Sequence, residues 1–282
     1  MNPLLQIASK FRQWAIPRKP PRVLLEEEQI HELMKSRTAA ARFAKRLIEQ
    51  LQTYPHFVIL KRTSFVGDGA PIERLVKAIA RTPPLKAGQT AEDRPQLEVS
   101  RIDVNIEKSA ETHLTTRYSR TNQALALHTD DSFRLEPREL VVFDFVQADP
   151  QGGDSLLAAV EDVVAALDDA TKNALTKPMF PFGCGDQPVL WENGGLLNIR
   201  YSRLQIDKTR AGSEDTLTER DVAAMDTLDR VLSSERVLFQ AHVQPGETLL
   251  LHNTKVLHGR TGFSSDSKRL MYRVRVPVGC LG

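Results

Sequence analysis

Apolar and polar positions alternate with two different periods along this chain. Over residues 26–53 apolar side chains recur at helical spacing, first as Ile30, Leu33 and Met34 and then from Ala39 to Leu51. Residues 56–60 form a short apolar run of buried-strand type, and 71–81 return to helical spacing. From about residue 97 the pattern shortens to strands, expected over 97–104, 124–128 and 140–147 and again over 196–201, 237–242, 248–251 and 270–277. Helices are expected to interrupt them over 160–175 and 218–233. Many short strands, with helices gathered at the start and in insertions, predict an α+β fold compatible with a jelly-roll sandwich. Periodicity alone leaves other β-rich folds open.

Punctuation adds to this outline. The run Pro-Arg-Lys-Pro-Pro at 17–21 reads as a linker, and 83–95 as a polar loop able to act as a lid. Residues 4–14, with Leu4, Leu5, Ile7, Phe11 and Trp14, can form an amphipathic helix that packs on the body or on a partner subunit. The division expected is a single domain over 1–282: helix and linker over 1–21, helical support and loop over 22–96, and a catalytic core over 97–278.

A chain of 282 residues can bury a sizeable core. Its net charge of +2 comes from Lys and Arg scattered among Asp and Glu, which gives no case for a nucleic-acid or membrane partner. No apolar run is long enough to span a bilayer, and the first residues lack the pattern of a cleaved signal. Cys184 and Cys280 form no CxxC and no disulfide framework, which suits a reducing, cytoplasmic setting.

The chemistry gathers at His128-Thr129-Asp130 and a distant His258. In an extended strand residues i and i+2 project to one face, so His128 and Asp130 can chelate one ion if His258 arrives from a strand remote in sequence. Two imidazoles and one carboxylate suit Fe(II) with open positions for oxygen and substrate, and zinc is the competitor on ligand type. The segment after His258 reads Gly259-Arg260-Thr261-Gly262-Phe263, with Arg269 and Arg273 beyond it. A metal alone requires neither arginine, whereas a dicarboxylate cosubstrate and an anionic substrate would use both. On a strand, Arg269, Met271, Arg273 and Arg275 would share a face. His252 reads as a structural strand-end residue, and Arg200 and Arg203 as further residues able to reach the pocket.

These residues resemble the taurine dioxygenase-like, or clavaminate synthase-like, superfamily of Fe(II)/2-oxoglutarate-dependent oxygenases. The resemblance covers roughly 97–278 and rests on His128-Thr129-Asp130, Gln151-Gly152-Gly153-Asp154-Ser155-Leu156, His258-Gly259-Arg260 with Phe263, and Arg269 to Arg273. It implies a double-stranded β-helix (jelly-roll, cupin-like) core with N-terminal and inserted helices. The implied metal ligands are His128, Asp130 and His258. It also implies Fe(II), 2-oxoglutarate and O2 as reactants. Arg269 is the matching position for the arginine that holds the far carboxylate of 2-oxoglutarate, and a guanidinium fork matches a carboxylate bidentately. Ser155 stands where the family carries a threonine and keeps the hydroxyl. Asp130 retains the carboxylate that related halogenases lack, which implies hydroxylation or another C–H oxidation.

Arg273 resembles the substrate-anion arginine of several members. Asp131 and Glu111 resemble, more weakly, acids that clamp a substrate amine. Together they imply a zwitterion, a free amino acid or close derivative, as the small-molecule partner, and the family precedent is compatible with a homodimer. A sulfonate or aryloxy-carboxylate dioxygenase is the alternative within the superfamily. A zinc-dependent hydrolase is the alternative outside it, and gives no reason for Arg269 or Ser155. A non-catalytic scaffold need not have kept all three ligands.

Overall fold

Ser36 closes one helix and opens the next. It is the extended C-cap of α1 (Glu27–Lys35), and its hydroxyl accepts from the Ala39 N–H at 3.1 Å to start α2 (Arg37–Gln52). The stretch expected over 26–53 is therefore two helices, divided by a side chain that offers the backbone a competing hydrogen bond. After α3 (Pro71–Ala80), the same device divides 160–175. Leu167 leaves α4 (Val160–Ala166) in an extended conformation, and the Asp168 carboxylate accepts from Thr171 N–H at 2.7 Å to begin α5 (Asp169–Leu175). Two helices complete the set: α6 (Arg203–Ala211), which was not anticipated, and α7 (Glu219–Leu232), started by a reciprocal Thr218–Asp221 capping box. The structure, a computed structural model, describes residues 20–61, 71–81, 97–103, 118–212, 217–276, 279 and 281. The 4–14 helix, the 83–95 lid and Glu111 lie outside them.

The strands are β1 (Arg22–Leu24), β2 (Phe57–Lys61), β3 (Glu98–Asp103), β4 (Leu125–His128), β5 (Leu140–Gln147), β6 (Ser155–Ala159) and β7 (Phe180–Pro181). They continue with β8 (Asp186–Gln187), β9 (Leu190–Asn193), β10 (Leu196–Ile199), β11 (Phe239–Ala241), β12 (Thr248–His252), β13 (Val256–Arg260) and β14 (Leu270–Val276). One sheet runs β1-β2-β12-β5-β14-β3 and a second β11-β6-β13-β4, while β9–β10 and β7–β8 are two-stranded. Strands β6 and β13, which carry site residues, were not delimited by the apolar pattern.

Alternation along the strands sorts side chains into layers. In β2, Phe57 and Ile59 point to one side and Val58 and Leu60 to the other. The first pair joins Phe143, Phe145, Leu249 and Leu251 in a core shared with Leu157, Phe239 and Val256 of the four-stranded sheet. The second pair meets Leu47, Leu51, Ile72 and Ile79 of α2 and α3. Beyond the four-stranded sheet, Ala158 and Leu257 pack with Val163, Leu175 and Leu228 of α4, α5 and α7. The order is helices, six strands, four strands, helices, a mixed α/β architecture with the metal-type residues between the sheets. Among the described residues no helix is long and apolar enough to cross a membrane.

Candidate metal centre

The antiparallel pairing of β4 with β13 sets His128 directly opposite His258, with ring centroids 4.5 Å apart. Strand β4 ends at His128, so Asp130 is not on the extended strand expected for it. It begins a turn in which Asp131 adopts a left-handed φ of 57°. The turn still brings the Asp130 carboxylate to both imidazoles, Oδ1 lying 3.5 Å from His128 Nε2 and 3.9 Å from His258 Nε2. One ligand atom from each of the three residues falls within 4.8 Å of the others.

The surroundings prepare these atoms. His128 Nδ1 lies 3.0 Å from the Ala126 carbonyl, which places the proton on Nδ1 and leaves the Nε2 lone pair facing the carboxylate. Burial and the neighbouring His128 push the His258 imidazolium down to about 3, so this ring is neutral and able to ligate. Burial alone would raise the Asp130 carboxyl, but Arg273, His128, His258 and Arg275 together hold it well below the usual carboxylate range. Arg275 Nε donates to Asp130 Oδ2 at 2.8 Å, and Arg273 Nη1 lies against both carboxylate oxygens, donating to Oδ1 at 3.2 Å and lying 3.1 Å from Oδ2, while Oδ1 also faces the histidines.

Asn253 fixes the Asp130 backbone. Its Oδ1 accepts from the Asp130 N–H at 2.9 Å, and its Nδ2 donates to the carbonyls of Asp130 and Arg138, each at 2.8 Å. Asn253→Ala would leave buried backbone groups unpaired, at about 1–3 kcal/mol for an unsatisfied group. It is expected to lower the urea midpoint and to weaken Co(II) binding about tenfold, as loss of an outer-shell partner does. Calorimetric titration of the metal-free protein measures the second effect, and unchanged affinity would remove Asn253 from the ligand-positioning set.

Arg269, the residue before β14, is 5 % exposed and makes no ion pair among the described residues, although Asp149 acts on it at longer range. Its guanidinium lies over the Phe145 and Phe263 rings at 5.2 and 5.5 Å and reaches only Met271 Sδ at 3.3 Å. Burial pushes its pKa down to about 10. Gly153, at φ 71°, clears its path: a Cβ there would sit 3.2 Å from Arg269 Nε. Ser155, the first residue of β6, lines a tight cavity of about 40 Å³ together with Arg269, Met271, Arg273 and the two histidines.

A wider cleft of about 810 Å³ opens on the other side of His128 and includes Asp130, Asp131, Arg273, Arg275 and Arg203. Asp131 is buried there and faces Arg138, with Arg134 and Arg275 at 3.7 Å. Glu98 on β3 pairs with Arg138 and Arg275, each at 2.6 Å. Glu98, Arg138 and Asn253 were not anticipated; of the added residues only Arg275 had a signal, the two-residue period from Arg269. Arg203 reaches the cleft, whereas Arg200 lines a different cavity.

A family model described as "Taurine catabolism dioxygenase TauD, TfdA family" matches residues 29–179 and 187–275. Nothing among the curated proteins matches. Asparagine oxygenase solved with Fe(II), (2S,3S)-3-hydroxyasparagine and succinate is similar in structure, at TM-score 0.64 and 16 % identity over 91 % of this chain and 93 % of that one. The non-heme iron oxygenase OrfP with Fe and alpha-ketoglutaric acid gives TM-score 0.63 and 16 % identity over 92 % and 94 %. OrfP with Fe and L-Arg gives 0.57 and 17 % over 97 % and 88 %.

Proposed function

Since the chain belongs to the taurine catabolism dioxygenase TauD, TfdA family, we propose that it is an Fe(II)/2-oxoglutarate-dependent dioxygenase that hydroxylates, or otherwise oxidises, a C–H bond of a small amino-acid-like substrate. The single observation that carries this is the adjacency of two complementary features. Three ligand atoms of the right types lie within 4.8 Å, and beside them a buried arginine has no carboxylate within ion-pair distance among the described residues. Two imidazoles and a carboxylate fit Fe(II). A buried guanidinium without an ion pair among the described residues fits the far carboxylate of 2-oxoglutarate, because a cation taken out of water is costly until an anion meets it.

His128, Asp130 and His258 would hold the metal, and Arg269 with the Ser155 hydroxyl would hold the cosubstrate. When bound, these groups supply the oxidising power that turns 2-oxoglutarate and O2 into succinate, CO2 and an oxygenated product. The chain's own residues do the positioning. Phe143, Phe145, Leu157 and Met271 keep the cavity apolar. Arg273 takes the substrate anion, and Arg275 remains on Asp130 Oδ2 when Arg273 turns away, so the metal carboxylate is never left without a cation. Asp131 and Glu98, paired with Arg138 and Arg275 in the ligand-free cleft, are the acids that a substrate amine would draw on, and Glu111 belongs to the same proposal. The solved neighbours named for hydroxyasparagine and for L-Arg support an amino-acid-like substrate. The two sheets read as a double-stranded β-helix, jelly-roll core within a single cytoplasmic oxygenase domain.

A zinc-dependent hydrolase gives Arg269 nothing to do, and a sulfonate or aryloxy-carboxylate substrate would leave Asp131 and Glu98 on their arginines, without the amine that an amino-acid-like substrate brings to them. The test is succinate release from 2-oxoglutarate, in air with Fe(II) and ascorbate, across a panel of amino acids, sulfonates and aryloxy acids. Substrate-stimulated release is expected with an amino acid and abolished in His128→Ala and Arg269→Ala. A protein that binds metal but neither binds nor turns over 2-oxoglutarate would refute the reading.

A further inference from the structure

Arg200 repeats the physical signature of Arg269 in a different place. Both are 5 % exposed and neither makes an ion pair among the described residues. Arg269 lies over two aromatic rings, and so does Arg200, its guanidinium carbon 5.6 Å from the Phe182 centroid and 6.0 Å from that of Trp191. Its polar contacts are the Leu135 carbonyl at 2.7 Å and Cys184 Sγ at 3.8 Å, while Nε is buried with no hydrogen-bond partner. Burial lowers its pKa, and no carboxylate acts against that shift.

This arginine lines a cavity of about 470 Å³ on the far side of the β12–β13 turn, within the size range of roughly 300–1,000 Å³ typical of small-molecule sites. The cavity holds a second buried cation, Lys255, 5 % exposed, whose ammonium donates to the Leu197 carbonyl; Glu161 and Glu139 act on it electrostatically, but it has no carboxylate within ion-pair distance among the described residues. Asn198 and the neutral His252 add buried polar groups, and Trp191 and Leu196 supply an apolar wall. Two acids also border it, but Glu139 accepts from the Leu281 N–H at 3.0 Å and Glu136 is exposed. Neither neutralises Arg200. A buried cation with no carboxylate against it, as Arg200 is among the described residues, is costly unless something else completes it.

We propose that this cavity is a second binding site, separate from the metal centre, for a small carboxylate with an apolar body. The carboxylate sits between Arg200 and Lys255, and the apolar part lies on Trp191 and Leu196.

Trp191 reports occupancy once Trp14, the other tryptophan of the chain, is replaced. In Trp14→Phe protein, Trp191 fluorescence is titrated with phenylacetate, with phenethylamine as the cation of similar body. A saturable response to phenylacetate alone is expected, retained when Arg269→Gln is added. It is expected to weaken about tenfold or more in both Arg200→Gln and Lys255→Gln, as loss of a charge-assisted contact requires. If circular dichroism shows that Arg200→Gln does not fold, Lys255→Gln decides alone. The proposal is overturned by an equal response to phenethylamine or by none up to about 10 mM, beyond the weak end of specific binding. It is equally overturned by a response lost with Arg269→Gln but kept with Lys255→Gln, which would place the ligand in the cosubstrate cavity.

Discussion

Arg269→Gln is expected to raise the 2-oxoglutarate concentration needed for half-maximal succinate release by about two orders of magnitude, the effect of removing one partner from a buried charge pair worth 2–5 kcal/mol. Arg269→Lys should fall between, because it keeps the charge and loses the planar fork. Metal binding should be nearly unaffected in both, since no atom of Arg269 touches His128, Asp130 or His258. Stability should move the other way. Without a cosubstrate the wild-type protein buries a guanidinium that has two aromatic faces and a thioether for company, with only the more distant Asp149 as a counter-charge among the described residues. A neutral amide at that position removes a desolvation penalty. The ligand-free variant should therefore melt at or above the wild-type temperature, while the rise in melting temperature that 2-oxoglutarate gives the wild type disappears. Scanning both proteins with and without 2-oxoglutarate reads both halves. A variant that melts lower and keeps the ligand-induced rise would show Arg269 to be a packing residue.

The grouping of His128, Asp130 and His258 was legible in the sequence because residue type carries its chemistry: two histidines and a carboxylate suit a class of metal, and the structure brings the three together. The role proposed for Arg269 comes from the family resemblance, not from residue type alone. What holds these residues in place was not legible. Asn253 reaches the Asp130 backbone across 123 residues of chain, through the register of β12 and the turn after β4. Nothing at 253 marks that asparagine as different from any strand-end amide. Glu98 reads as a solvated charge until β3 pairs with β14, which sets Glu98 opposite Arg275.

Strand β6, Ser-Leu-Leu-Ala-Ala, runs directly into α4 and is apolar on both faces, so it lacks the alternation that reveals a half-buried strand. Strand β13 has the same difficulty, with His258 on the inner face and Leu257 packed outward. The breaks at Ser36 and Asp168 were legible in principle. Each is a good N-cap residue, and helical periodicity simply continues across it.

Gly259→Ala is expected to damage the metal centre as severely as loss of a ligand, without touching one. Gly259 follows His258 in β13, where β4 bulges: His258 pairs with His128 and Arg260 with Leu125, so one residue of β13 stands against two of β4. A Cβ at 259 would lie 2.5 Å from the Leu125 carbonyl oxygen and 3.1 Å from backbone atoms of Ala126 and Leu127. All three are main-chain atoms of a paired strand, so no side-chain rotation relieves the clash. Strand β4 must move away from β13, and His128 moves with it, while His258 stays with β6. Overpacking of this kind costs about 1–3 kcal/mol of stability. A ligand displaced by ~1 Å costs about 100-fold in activity.

Gly212→Ala is the control, since its Cβ would meet nothing nearer than 3.7 Å. It should be neutral in both assays. Co(II) titration and urea unfolding of the two variants separate the outcomes. If Gly259→Ala binds metal like the control, β4 and β13 are not held in register tightly enough to define the site. If it loses metal affinity by more than its loss of stability explains, the close approach of these two strands is what sets the distance between the histidines.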